Sequence, residues 1–324
     1  MKKLITLASI ITLIASTSSM ATVWRVNNQD DTADYQDLDV AHNSNAVQAF
    51  DTLYVEGSTV AYASITCTKP LTFIGPGYFL NINQKSAQMV PASLGSLTFN
   101  PGSEGSRVIG LNFDVFSSNG PDIYVNNISI ERCYIRGYVQ IDDVNGVVVA
   151  GNYCSGLARA TTGSKFYNVY FNNNIVTSWM DIPNTSTIQS CNNNIFMGNS
   201  YEFTAYHFRN NIFIDGAASI EIQSQFIENN IATNNILPTT GNTNVSNIDA
   251  LFVGGESPDA KYLLSENSQA KGAGFDGVDC GIFGGNNPYM ISGLPPLPAI
   301  TNLNVDDAAT VETGLNVNVK VSSF

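Results

Sequence analysis

Charge is scarce in this 324-residue chain. Only 13% of its residues are Asp, Glu, Lys or Arg, and 14 basic side chains stand against 27 acidic ones, a formal net charge of −13 at pH 7. The few Lys and Arg are scattered, so no basic patch is available to neutralise a phosphate backbone, which argues against nucleic acid as a partner. An acidic polysaccharide would be repelled as well, unless a cation such as Ca2+ bridged it. Histidine occurs twice and cysteine five times. Cys67, Cys133, Cys154, Cys191 and Cys280 show none of the spacings of a zinc site, and five thiols allow at most two disulfides, so this is no disulfide scaffold. They read as small core residues. No cofactor is implied, and Ca2+ is the one ion left open.

Long apolar runs are missing too, with one exception. The largely apolar stretch from Leu4 to Ala15 follows Lys2 and Lys3 and precedes Ser19-Met20-Ala21. It is too short to span a bilayer and has the pattern of a secretory signal peptide cleaved after Ala21. Residues 1–21 are therefore set apart, and the mature chain is expected outside the cell or on its surface, without a transmembrane helix. At 44% hydrophobic residues it is neither disordered nor membrane-embedded, and it is long enough to bury a large core.

What the sequence does contain is a repeat. Asn112, Cys133, Asn152, Asn174, Asn194, Asn211 and Asn230 form one column with steps of 17 to 22 residues. The next position is always large and apolar or aromatic: Phe113, Tyr134, Tyr153, Ile175, Ile195, Ile212 and Ile231. Three positions before the column stand Ile109, Ile130, Val149, Phe171, Cys191, Phe208 and Ile227. Both flanking columns are expected to face inward. Asn173, Asn193, Asn210 and Asn229 add a second, partial Asn column. A period near twenty, β-branched and aromatic columns, and Asn at fixed turns mean that each repeat is one coil of a β-solenoid. Asn suits the turns because it tolerates left-handed backbone, and its amide both donates and accepts along a ladder. The ladder is assigned to Asn112, Asn152, Asn174, Asn194, Asn211 and Asn230.

This pattern resembles the right-handed parallel β-helix of the pectate-lyase-like superfamily, as found in secreted bacterial proteins. The resemblance extends to the opening segment, Trp24-Arg25-Val26-Asn27-Asn28 through Leu71-Thr72-Phe73-Ile74-Gly75-Pro76-Gly77. In such proteins a short amphipathic helix caps the first coil; here Tyr35, Leu38, Ala41 and Ala46 would form its apolar face, interrupted at Asn43-Ser44-Asn45. Ser268 to Gly285 is similar to a closing coil. Gly293 to Ile300 has the Pro spacing of a stiff linker, and from Thr301 the tail reads as strands, with strict alternation over Leu315 to Val321. The expected architecture is all-β: a right-handed parallel β-helix over residues 22–292, including its N-terminal cap, then a linker and short β tail over 293–324.

Enzymes of this superfamily that cleave acidic sugars work on one long face with carboxylates and a basic residue. Counting nine positions back from the Asn column places Asp143 beside Lys165, and Glu202 beside Glu221, on neighbouring coils about 4.8 Å apart. Asp142 and Asp122 lie close by in register. The superfamily's enzyme motifs themselves are missing: there is no Asn-Thr-Asp, no Gly-His-Gly and no paired-Arg segment. His207 reads as a solvated strand position, His42 falls in the cap, and Arg209 with Glu228 reads as a structural ion pair. Binding without catalysis asks for less, and Tyr138, Tyr170, Trp179 and Tyr201 lie outside the inward columns as candidate platforms for sugar rings. The reading favoured is a non-catalytic glycan-binding, adhesive or structural protein whose partner is a polysaccharide or cell-surface glycan. The alternative is a polysaccharide lyase or glycoside hydrolase using Asp142, Asp143, Lys165, Glu202 and Glu221.

Overall fold

A computed structural model describes residues 21–83, 90–115, 120–159, 163–182, 185–198, 200–214, 219–306 and 314–323. All of the expected signal peptide but Ala21 lies outside the described residues. The chain is an all-β parallel solenoid of about 8 turns with coils of about 20 residues. One sheet stacks Val23–Val26, Thr52–Val55, Thr72–Ile74, Arg107–Ile109, Ser129–Glu131, Val148–Ala150 and Val169–Asn172, and continues through Ile188–Ser190 and the long strands Ser200–Arg209 and Ser219–Glu228. A second stacks Ile65–Cys67, Leu97–Phe99, Pro121–Ile123, Tyr134–Ile141, Tyr153–Arg159 and the short strands that begin at Ile175, Ile195, Ile212 and Ile231. Neighbouring strands in both run parallel, so like positions of successive coils meet in register.

Between the sheets, two adjacent turn positions divide the work that the sequence assigns to one. The first adopts left-handed backbone in seven successive coils: Gly110, Arg132 and Gly151, then Asn173, Asn193, Asn210 and Asn229, the four Asn at φ between 56° and 59°. Gly and Asn are the residues that enter this region most readily. The second position carries the ladder. The Oδ1 of Asn152 accepts from the Cys133 N–H, and the Oδ1 atoms of Asn174, Asn194, Asn211 and Asn230 each accept from both the N–H and the Nδ2 of the Asn one coil earlier. Asn242 ends the row by accepting from Asn230. Asn112 is not in it. Asn112 pairs with Tyr134, so Leu111 holds the position that Cys133 and the ladder Asn hold later. The same one-residue offset pairs Ile109 with Glu131 and puts Val108, not Ile109, into the core beside Ile130.

The column that follows the ladder also corrects the sequence reading. Ile175, Ile195, Ile212 and Ile231 point away from the coil interior, and their neighbours Val176, Phe196, Phe213 and Ala232 point in. Strand side chains alternate, so only one of two consecutive apolar residues can face the interior. The outward isoleucines are nevertheless buried, because residues 245–294 turn back at the last coil and run down the outside of the solenoid. Leu251, Tyr262, Ile282 and Tyr289 cover them, at about 1.5–3 kcal/mol for each fully buried aliphatic side chain. This strap is what the sequence reads as a closing coil. The left-handed Asn column holds it: Asn229 Nδ2 donates to the Ala273 carbonyl, Asn210 Oδ1 accepts from the Phe275 N–H, Asn193 Nδ2 donates to the Asp279 and Gly281 carbonyls, and Asn173 Nδ2 to those of Ile282 and Gly284. At the strap's far end the buried Asp259 carboxylate accepts from Ser257 Oγ (2.6 Å), Tyr289 OH (3.2 Å) and the Ser292 N–H (2.5 Å). Tyr289 shares a short hydrogen bond with Tyr78 of an early coil.

The first coil is closed by a helix at Leu38–Asn43, N-capped by Asp37, whose carboxylate accepts from the Asp39 and Val40 N–H groups. Leu38 and Ala41 are buried and Tyr35 packs on the core, but Ala46 is exposed and Val47 takes its place, because the helix stops at the predicted interruption. His42 is a cap residue held in one tautomer: Nε2 accepts from the Thr68 N–H at 3.0 Å, which leaves Nδ1–H to donate to Asn43 Oδ1 at 3.2 Å. Burial, helped by the Lys69 charge and opposed by the Asn43 bond, holds its pKa below the ordinary value. Below about pH 6.5 the unfolded chain takes up a proton that the folded imidazole resists, so stability falls as the solution is acidified from there. The urea midpoint of the native chain should drop more between pH 7.5 and 5.5 than that of His42→Gln; equal drops would mean His42 is not the group responsible.

All five cysteines are buried free thiols, and burial pushes Cys133 and Cys154 up to about 12. Gly293 and Leu294 are buried against the solenoid, and the tail forms an antiparallel hairpin of Pro298–Val305 with Val317–Ser323. No helix among the described residues is long and apolar enough to cross a membrane.

Candidate functional site

The candidate side chains distribute over separate parts of the solenoid surface. Asp143 and Lys165 are neighbours in register, since Val144 pairs with Phe166, but Asp143 Oδ1 accepts from the Lys165 backbone N–H at 2.8 Å. Asp143 itself has φ 49°, so its carboxylate bridges two turns at a corner. Asp142 is tied there too, its N–H bonded to the Ile123 carbonyl. Tyr201 is not a surface platform. It is fully buried, packs edge-on against Phe196, and its hydroxyl oxygen accepts from the Gly198 N–H. Tyr170 is exposed on the outer face of the first sheet, between Val148 and Ser190. His207, on that same sheet, is half-buried and stacks on Phe226 with ring centroids 5.1 Å apart. Arg209 pairs with Glu228 at 2.5 Å and lies over the Phe226 and Phe275 rings, which explains the pair as structural.

The remaining candidates come together. Tyr138 and Gln140 alternate outward on Tyr134–Ile141, with Val139 buried between them. Tyr138 pairs across with Gly156, whose φ is 150°, and a side chain at Gly156 would press within 2.9 Å of Met180 Cγ and 3.6 Å of the Tyr138 ring. The bare glycine lets Trp179 of the following coil reach Tyr138: their ring centroids are 5.4 Å apart, and the Tyr138 hydroxyl donates to Ser178 Oγ at 3.0 Å. Trp179 stays 47% exposed, so the pair offers ring surface to solvent.

Beside the rings runs a polar row. Gln140 pairs with Asp122 and Ala158, Asp122 with Thr98, and on the adjoining strands Asp181, Glu202 and Glu221 are aligned one above another. Met180–Asp181 packs beside Tyr153–Arg159, which makes the two stretches one face. Glu202 and Glu221 are exposed. Asp122 is half-buried, and burial, only partly offset by a hydrogen bond from Thr98, raises its pKa. The face therefore combines two aromatic rings with a row whose oxygens mostly accept hydrogen bonds. Such an array matches a ligand rich in hydroxyl donors and C–H faces. Sequence reasoning treated the carboxylates and aromatics as unrelated sets; Gly156, which lets the rings meet, carries no signal of its own in a chain with 26 glycines. Among the described residues no group of three or more His, Cys, Asp or Glu is arranged to hold a metal ion. No known protein family, curated protein or solved structure matches this chain.

Proposed function

We propose that this chain is an exported or cell-surface β-helix protein of the pectate-lyase-like kind that binds a neutral glycan without cleaving it. The observation that carries this reading is the Tyr138–Trp179 ring pair beside Gln140, Glu202 and Glu221 on one face. The rings would stack on the apolar faces of sugar units, and the amide and carboxylates would accept from their hydroxyls. Coils stacked about 4.8 Å apart give an extended ligand repeated contacts along the axis. The acidic balance of the whole chain selects against an anionic polymer. Removing the more exposed ring tests it: Trp179→Ala should weaken binding to a neutral polysaccharide in affinity electrophoresis by roughly tenfold, the loss expected for one ring contact of about 1.4 kcal/mol, with the thermal midpoint unchanged. Unaltered retention would remove the ring pair from the site.

A second reading rests on the alignment of Glu202 with Glu221. Carboxyls about 5 Å apart are the arrangement of a retaining glycosidase. Release of reducing ends that disappears in Glu202→Gln would make the protein a hydrolase instead.

A further inference from the structure

The asparagine that leaves the ladder stands in a different site. Asn112 is 5% exposed; its Nδ2 donates to Ser93 Oγ at 2.9 Å, and its Oδ1 is buried with no hydrogen-bond partner. A buried carbonyl oxygen without a donor is costly unless something brings one. Asn112 is one of the residues lining a cleft of about 400 Å3, together with Phe79, Asn81, Pro91, Asp114 and Tyr134. That volume lies in the range of small-molecule sites.

Phe79 has φ 52°, a conformation unfavourable for a bulky aromatic. It sets the Phe79 ring edge-on to Tyr134, with centroids 5.3 Å apart, and Tyr134 is in turn 5.6 Å from Tyr153. Asp114 is half-buried. Its charge is near enough to the Tyr134 phenol to act, after burial, as a second cause of that group's raised pKa.

We infer that this cleft binds a primary ammonium group carried on a short apolar stem. Its N–H donors would meet the Asn112 Oδ1 and the Asp114 carboxylate, its charge would be balanced by Asp114, and the aromatic edges and faces would take the stem and the cation. A neutral hydroxyl could satisfy Asn112 but would leave the half-buried carboxylate uncompensated. This site is distinct from the proposed glycan face.

Titration calorimetry with two probes of one shape separates the possibilities. Cyclohexylammonium should bind the full chain at pH 7.5 at least about tenfold more tightly than cyclohexanol, the difference expected of a charge-assisted hydrogen bond. Asp114→Asn should abolish that preference. Equal affinities, binding by neither probe, or a preference that survives in Asp114→Asn would each overturn the assignment.

Discussion

Asn194→Ala should destabilise the fold by about 3–6 kcal/mol, as should the same change at the equally bonded Asn174 and Asn211. Asn194 is fully buried. Its Oδ1 accepts from the Asn174 N–H and Nδ2, and its Nδ2 donates to the Phe171 carbonyl and Asn211 Oδ1. Truncation leaves donors and an acceptor without partners where water does not reach, at about 1–3 kcal/mol for each orphaned group. The chain itself supplies two controls. Asn242 has a similar set of bonds to the Ile227, Pro238 and Thr240 carbonyls, but it lies at the half-exposed end of the row, where water can replace the amide. Asn112 makes one side-chain bond and has an unpartnered oxygen. Both →Ala variants should lose about 1 kcal/mol or less. Urea unfolding of the three variants decides the matter: equal losses would mean that the row contributes no more than its individual bonds.

Gly293→Ala should detach the far end of the strap. A Cβ at this position would lie 2.2 Å from the Arg132 carbonyl oxygen and 2.3 Å from the Tyr78 ring, at φ +58°. Neither neighbour is a flexible side-chain tip. Overpacking of this kind costs about 1–3 kcal/mol and a left-handed alanine about 1–2 kcal/mol more, and the structure can escape both by releasing the segment. Release breaks the bond from the Tyr78 N–H to the Ser292 carbonyl and opens the Tyr78–Tyr289–Asp259 network. The Asn ladder contributes no bond to that end. Hydrogen exchange should therefore accelerate at Tyr78 and leave Asn194 protected, as expected when one unit opens by itself. Gly254→Ala, also at positive φ but with nothing within 4 Å, should not have this effect. Uniform acceleration in Gly293→Ala would show the strap and the coils to be one cooperative unit.

These two regions mark where sequence reading succeeds and fails. The ladder from Asn152 to Asn230 is legible because each coil solves the same local problem, a tight turn next to a buried amide, with the same residues. Asn112 has the right spacing but the wrong register, because the turn at Gly110-Leu111 pairs Asn112 with Tyr134. In a strand one residue of slip exchanges the two faces, and spacing alone does not reveal it. Tyr201 fails for a related reason. It sits on a ten-residue strand, Ser200–Arg209, where its parity points inward. Glu202, one position on, points out, and its alignment with Glu221 is as the repeat requires.

The sequence by itself determined the coil length, the positions of the turns, the asparagine row and the exclusion of a basic or disulfide-bound surface, since each of these repeats locally or follows from composition. Only the tertiary structure decided where the chain goes after the last coil. Residues 245–294 have no repeat, and their place follows from the outward-facing isoleucine column and the left-handed asparagines that earlier coils present to them. Tertiary structure likewise decided that Trp179 meets Tyr138 across a glycine and that Asn112 lines a cleft. Each of these depends on contacts between residues far apart in the chain, and a sequence pattern records the spacing of residues along the chain but not which faces the coils bring together.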